Sequence, residues 1–150
     1  MKPIKLNIKT KNENYPILIG TNIISKVSKL FSDNSINFKK CLLVIDKKVP
    51  KKFISKISNS FKNKNIYKYY FEANEINKNQ KNVDKILNFL LNKNFSREDC
   101  LVSVGGGITG DITGFAASLF KRGLQFINIP TTLLAQVDSS IGGKTGVNTK

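Results

Sequence analysis

The stretch from Val102 to Asn148 constrains the fold of this chain more than any other feature. It has the sequence VSVGGGITGDITGFAASLFKRGLQFINIPTTLLAQVDSSIGGKTGVN, in which short apolar segments alternate with two glycine-rich turns. An apolar strand that ends in three glycines and then opens an apolar helix directs backbone N–H groups towards a phosphate. The stretch therefore predicts a strand–turn–helix unit that binds an anionic ligand.

Hydrophobic spacing along the rest of the chain predicts alternating strands and helices. Residues 72–82 are predicted to form a long loop, and residues 139–150 are loop-like with no closing element. This order predicts an α/β fold, a Rossmann-like, doubly wound, mainly parallel sheet with an N-terminal hairpin. In chain order, the predicted elements are a hairpin (4–9 and 15–19 around the turn KNEN), a helix capped by Thr21, a strand 41–45, a helix opened by Pro50, a strand 66–71, a helix capped by Asn79, a strand 100–104, a helix 110–120, a strand 126–129 and a short helical turn 133–137.

Composition narrows the class of protein. The 150 residues are 40% hydrophobic, which suits one globular domain with a core. No stretch resembles a membrane span or a signal peptide, so a cytoplasmic protein with no membrane partner is expected. The two cysteines, Cys41 and Cys100, are far apart in sequence and predict buried thiols rather than a disulfide or metal site. The chain has no histidine, which removes the commonest general base.

The net charge of +15 raises the alternative of a nucleic-acid-binding module. Against it, the lysines are scattered through the first two thirds of the chain, with no interleaved aromatic residues of the kind on which bases stack. We therefore expect no nucleic-acid partner.

The first glycine turn satisfies G-x-G-x-x-G through Gly105, Gly107 and Gly110. The pattern is weak alone, because the same glycines also serve a tight strand-to-helix turn. Asp111 either favours the helix dipole or accepts a hydrogen bond from a ligand hydroxyl. Asp46 ends a predicted strand, where its carboxylate suits a ribose diol or simply a solvated turn.

The second cluster of polar residues follows Pro130. Its side chains suit an anionic ligand, because two glycines before a lysine let the backbone approach an anion while the ammonium pairs with it. Arg122 closes the glycine-loop helix, where it either caps carbonyl groups or binds phosphate or carboxylate. The cluster consists of Thr131, Thr132, Asp138, Ser139, Ser140 and the segment Gly142–Gly146 with Lys144.

GGGITGDITGFAASLFKRG followed by PTTLLAQVDSSIGGKTGVN resembles the 3-dehydroquinate synthase family of the sugar-phosphate cyclase superfamily. The resemblance implies an N-terminal NAD⁺-binding domain spanning residues 1–150 and incomplete at its C-terminal end. It implies conversion of 3-deoxy-D-arabino-heptulosonate 7-phosphate to 3-dehydroquinate and phosphate in the shikimate pathway, with NAD⁺ regenerated in each turnover and a divalent metal, usually zinc. It also implies a homodimer for the full-length protein.

The same resemblance implies roles for individual residues. The adenosine half of NAD⁺ would contact Asp46, Glu75 and Lys78. The pyrophosphate and ribose would lie at Gly105, Gly106, Gly107 and Asp111, with Thr131 and Thr132 near the nicotinamide. The catalytic residues facing the substrate would be Arg122, Asp138 and Lys144, and Arg122 would reach the site of a neighbouring subunit.

This chain departs from the family pattern in two respects. Asn74 stands where the family has glycine before the glutamate. The family's metal ligands belong to a helical C-terminal domain beyond Lys150, so no residue of this chain is predicted to bind metal. The alternatives are a truncated remnant that binds nucleotide at most, with no activity of its own, or a related sugar-phosphate cyclase.

Overall fold

A computed structural model describes residues 3–9, 14–33, 36–61 and 64–149. The chain divides into two compact units, residues 1–37 with 52–62 and residues 38–51 with 63–150. No helix in the described ranges is both long enough and apolar enough to cross a membrane.

The first unit contains the predicted hairpin, in which β1 (Ile4–Lys9) pairs antiparallel with β2 (Asn14–Ile19). The first three residues of the turn KNEN lie outside the described ranges. A 3₁₀ turn (Ile23–Lys26) leads into α1 (Val27–Asp33). The predicted cap at Thr21 is wrong: the N-cap is Asn22, whose φ of 54° is left-handed and which makes no side-chain capping bond.

The helix α2 (Lys51–Ser60) begins directly after Pro50, as predicted. It buries Ile54 and Ile57, whereas Phe53 remains 47% exposed. The apolar face of α2 is therefore narrower than its sequence suggests.

The second unit is built on a four-stranded parallel sheet, which confirms the predicted α/β class. Its strands are β3 (Lys40–Asp46), β4 (Asn65–Phe71), β5 (Cys100–Gly105) and β6 (Gln125–Pro130). Their order is β4-β3-β5-β6, so the chain moves outward to β4 and then returns past β3 to β5. The direction of winding reverses between β3 and β5. Ligands of doubly wound sheets bind outside the carboxyl ends of the strands at such a point.

The core of this unit lies between the central strands and two helices. Every residue of β5 is buried, and so is every residue of β3 except Lys40. Each fully buried aliphatic side chain contributes about 1.5–3 kcal/mol, so the two central strands hold their carboxyl ends on a rigid base. The core side chains include Leu42, Val44, Leu101, Val83, Ile86, Leu90, Phe95 and Ile112.

The helix α3 (Gln80–Asn92) has the predicted cap, since the Asn79 side chain accepts a hydrogen bond from the Asn82 N–H at 3.1 Å. Leu91, expected on the apolar face, is 54% exposed. The predicted long loop 72–82 is too long, because a 3₁₀ turn (Glu75–Asn77) and the start of α3 occupy much of it.

The helix α4 (Gly107–Leu119) begins three residues earlier than residue 110, the predicted start. Glycine disfavours helix interiors, which is why the sequence suggested the later start. Tertiary packing explains why glycine occurs in this helix, because neighbouring side chains leave little room for a larger residue. An added Cβ at Gly110 would lie 3.4 Å from the Asn128 amide, and one at Gly114 would lie 2.6 Å from Thr145 Cγ2. Asp111 consequently lies inside α4 rather than at its first residue.

After β6 the chain forms the expected short helical turn, which ends as a π-helical turn (Ala135–Ser139). Irregular backbone then returns to the beginning of α3, where Asn148 forms an isolated parallel bridge with Asn79. The C-terminal part of the Val102–Asn148 stretch is thereby brought back towards the carboxyl edge of the sheet.

Candidate functional site

Asp46 and Gly105, at the carboxyl ends of β3 and β5, are direct neighbours at the reversal of the sheet. A Cβ added to Gly105 would lie 3.0 Å from Asp46 Cβ and 2.6 Å from Thr109 Oγ1. Asp46 is only 9% exposed, and its Oδ1 accepts a hydrogen bond from the Lys48 N–H at 3.0 Å. Its other carboxylate oxygen accepts no hydrogen bond among the described residues. The site therefore has a fixed carboxylate with one oxygen available.

The glycine turn between β5 and α4 is narrow on its other side as well. The Thr131 N–H donates to the Gly105 carbonyl at 2.9 Å. An added Cβ at Gly106 would lie 3.3 Å from Thr132 Cγ2, and one at Gly107 would lie 2.9 Å from Ser139 Oγ. The structure thus brings the three glycines together with the predicted threonines.

The N-terminus of α4 opens at this turn. Gly106 is the N-cap, and the Gly110 N–H donates the first helical hydrogen bond to its carbonyl at 3.1 Å. The N–H groups of residues 107–109 have no intrahelical acceptor, and they carry the positive end of the helix dipole. Such a terminus binds anions, so the turn can hold a phosphate group.

A second layer of charged residues lies beside α4. The Lys78 Nζ pairs with Asp111 Oδ2 at 2.6 Å, with both side chains about one-fifth exposed. The Glu75 Oε1 accepts a hydrogen bond from Asn148 Nδ2 at 2.9 Å, and the Asn148 N–H donates to the Lys78 carbonyl at 2.8 Å. Three predicted cofactor residues, Glu75, Lys78 and Asp111, are thus joined in one network.

Asp138 and Lys144, predicted to face the substrate, are both exposed. Asp138 lies in the π-helical turn after β6. Lys144 follows Gly142 and Gly143, where an added Cβ would meet nothing within 4 Å. Gly142 has a left-handed φ of 97°. Neither side chain forms an ion pair within the described ranges. Their catalytic roles remain predictions.

Arg122 does not join the other predicted residues. It follows the C-terminal end of α4, about 18 Å along the helix from the glycine turn, next to the amino end of β6. It is exposed, and both Lys121 and Arg122 have left-handed φ values, 46° and 71°. A non-glycine residue in the left-handed conformation carries about 1–3 kcal/mol of backbone strain, and here two such residues follow each other. The predicted reach of Arg122 into a neighbouring subunit remains a proposal.

The cysteines lie at the amino ends of β3 and β5, away from the glycine turn at the carboxyl ends. Cys41 and Cys100 are register partners on β3 and β5, and both are free and buried, as predicted. Burial raises the pKa of the Cys41 thiol from its ordinary value of 9.0 to about 12, and burial also raises the pKa of Cys100. Both thiols therefore stay protonated and unreactive near neutral pH.

The described residues do not form a metal site. Within residues 3–9, 14–33, 36–61 and 64–149, no three acidic, cysteine or histidine side chains come together. We therefore assign metal binding to none of these residues.

Asn148 is the residue of this site that sequence reasoning missed. Its partner Glu75 is 73 positions earlier in the chain. The parallel bridge between Asn148 and Asn79 forms only when the fold is complete. Local spacing carries no signal for such a contact.

A family profile described as the N-terminal part of 3-dehydroquinate synthase matches residues 68–150. The 3-dehydroquinate synthase of Pelagibacter ubique (strain HTCC1062) is 58% identical over 98% of this chain. The chain spans 40% of the length of that relative.

Solved structures of two sugar-phosphate cyclases share the fold. A 2-deoxy-scyllo-inosose synthase complexed with carbaglucose-6-phosphate, NAD⁺ and Co²⁺ has a TM-score of 0.89 at 25% identity, covering 97% of this chain and 40% of that one. The 2-epi-5-epi-valiolone synthase of Streptomyces hygroscopicus, with NAD⁺ and Zn²⁺ bound, has a TM-score of 0.76 at 25% identity, covering 95% and 39%. From the profile match over more than half of its length, together with these relatives, the chain belongs to the 3-dehydroquinate synthase family, of which it carries an N-terminal portion.

Proposed function

We propose that this chain supplies the NAD⁺-binding part of a 3-dehydroquinate synthase, which converts 3-deoxy-D-arabino-heptulosonate 7-phosphate to 3-dehydroquinate and phosphate. The observation that carries the proposal is the glycine turn at the reversal of the sheet, where an added Cβ at Gly105 or Gly107 would lie within 3.0 Å of a neighbouring side chain. The turn has no room for side chains, so its backbone N–H groups are exposed at the carboxyl ends of the strands, where ligands of such sheets bind.

The residues at this edge fit NAD⁺ in their chemistry. The free N–H groups of residues 107–109 suit a pyrophosphate. The available oxygen of Asp46 and the carboxylate of Asp111 suit ribose hydroxyl groups, which donate hydrogen bonds. When bound, NAD⁺ supplies a reversible hydride acceptor for oxidation and later reduction of a substrate hydroxyl.

The substrate part of the proposal rests on Lys144 and on the solved relatives. A sugar phosphate carries negative charge, and the exposed ammonium of Lys144 follows open glycines that let an anion approach the backbone. Arg122 would supply a second cation from a neighbouring subunit of a homodimer. The 58% identity to a 3-dehydroquinate synthase, against 25% to the 2-deoxy-scyllo-inosose synthase, favours the dehydroquinate reaction over that of a related cyclase.

The test is phosphate release from 3-deoxy-D-arabino-heptulosonate 7-phosphate by the complete protein, in the presence and absence of NAD⁺. We expect NAD⁺-dependent release that Lys144→Ala lowers by about 100-fold or more, since one fixed cation facing developing charge supplies about 3–4 kcal/mol. Lys68→Ala, at an exposed position of β4, is the matched control and should keep full activity. Equal activity of Lys144→Ala and Lys68→Ala would remove the role assigned to Lys144.

A further inference from the structure

Residues 141–146, which we call the Lys144 loop, are held at both ends, since the Ile141 N–H donates a hydrogen bond to the Asp138 carbonyl at 3.1 Å and Thr145 lies against Gly114 of α4. A Cβ added at Gly142, Gly143 or Gly146 would meet nothing within 4 Å. Beyond the loop, Val147 packs against the core. What holds the C-terminal end of the loop therefore contributes to the position of Lys144.

Asn148 connects that end to residues 75–78, which we call the cofactor turn. Its N–H donates to the Lys78 carbonyl at 2.8 Å, and its Nδ2 donates to the Glu75 carboxylate at 2.9 Å and to the Glu75 carbonyl at 3.4 Å. The cofactor turn is in turn joined to α4 through the Lys78–Asp111 ion pair. A continuous polar network thus runs from α4 to Asn148, two residues beyond the Lys144 loop.

We propose that Asn148 is a positioning residue that transmits NAD⁺ binding at the cofactor turn to the Lys144 loop. The inference rests on the proposed function, because it needs NAD⁺ to bind beside Glu75, Lys78 and Asp111. A ligand that orders the turn restricts Glu75, and the hydrogen bond that Asn148 Nδ2 donates to the Glu75 carboxylate passes that restriction to the loop. The anion-binding lysine is then ordered before substrate arrives, which lowers the entropic cost of binding substrate.

The experiment is amide hydrogen exchange of the complete protein with and without saturating NAD⁺, followed in peptides that cover residues 105–110 and 141–146. In the wild type we expect NAD⁺ to slow exchange in both. In Asn148→Asp, which replaces the donor amide by an acceptor facing another carboxylate, slowing at 105–110 should persist. At 141–146 it should be smaller by about three- to tenfold, the range that one hydrogen bond supplies.

A charge-exchanged double variant separates positioning from folding. Glu75→Gln with Asn148→Asp restores one donor and one acceptor with the original net charge, and it should restore the slowing at 141–146. Thr149→Ala, an exposed neighbour, should behave as wild type.

The outcomes distinguish the two proposals. If NAD⁺ slows exchange in neither segment of the wild type, the proposed cofactor function fails and takes the inference with it. If the wild type responds at 105–110 but not at 141–146, the inference alone is wrong. It is equally wrong if Asn148→Asp keeps the full response at 141–146, or if the double variant, at an NAD⁺ concentration that gives the wild-type slowing at 105–110, fails to restore the response at 141–146.

Discussion

The two buried cysteine side chains make the stability of the sheet depend on pH. Cys41 and Cys100 lie opposite each other on β3 and β5, and each is 0% exposed. Burial in this apolar interior favours the neutral thiol, which raises the pKa of Cys41 to about 12.

We expect the free energy of unfolding to fall as pH rises above the ordinary thiol pKa. Below pH of about 8.5 each thiol is protonated in both states and contributes no pH dependence. Above it the unfolded chain loses a proton that the folded chain keeps until about pH 12 at Cys41, so stability decreases by up to about 1.4 kcal/mol per pH unit for each thiol.

Urea unfolding at pH 8, 9 and 10 measures this dependence. Over this interval the free energy of unfolding of Cys41→Ala should depend less on pH than that of the wild type, because the variant lacks one of the two buried thiols. Identical pH dependence in the two proteins would contradict the assigned shift.

At the scale of elements, the turn between β5 and α4 combines what the sequence predicts with what it leaves open. Strand β5 was predictable because a short apolar run ended by glycines has few alternatives, and Asn79 was predictable as a cap because its side chain acts on the next turn. The start of α4 was not, because helix propensity disfavours the glycines that tertiary packing requires there. The Lys78–Asp111 pair and the Asn148 contacts join distant segments, so no local pattern contains them.

The turn itself can be tested through Gly105. In Gly105→Ala the added methyl would lie 2.6 Å from Thr109 Oγ1 and 2.8 Å from Thr109 Cβ, inside a buried turn. Overpacking of this kind costs about 1–3 kcal/mol. Thermal or urea unfolding should show that loss, whereas Gly143→Ala, with nothing within 4 Å of the added Cβ, should leave stability close to wild type. Equal stability of the two variants would show that the turn has room for the added methyl group.

At the scale of the whole molecule, the net charge and the candidate site arise from different residues. The +15 net charge comes from lysines spread over the chain, whereas the site depends on a few residues at one edge of one sheet. Predicting the parallel sheet placed Asp46, the glycines and the threonines at a common edge, and the structure shows them there. Arg122 lies at the other end of α4, as its place after the glycine-loop helix predicted, so it does not share that edge.

The proposed function depends on NAD⁺ meeting the backbone at Gly106. This residue has an extended conformation, φ −81° and ψ −171°, that alanine adopts readily. An added Cβ would lie 3.3 Å from Thr132 Cγ2, a contact that a small shift relieves. Alanine at this position should therefore fold normally while its methyl group projects from the turn that is proposed to hold the pyrophosphate.

The most direct measurement is an equilibrium titration of NAD⁺ with the wild-type protein, Gly106→Ala and the control Gly143→Ala, alongside their melting temperatures. We predict that Gly106→Ala melts as the wild type does but binds NAD⁺ at least about tenfold more weakly, a loss of about 1.4 kcal/mol. Gly143→Ala should match the wild type in both respects. If Gly106→Ala binds NAD⁺ with wild-type affinity, the cofactor does not lie on this turn and the proposed function of the site is wrong.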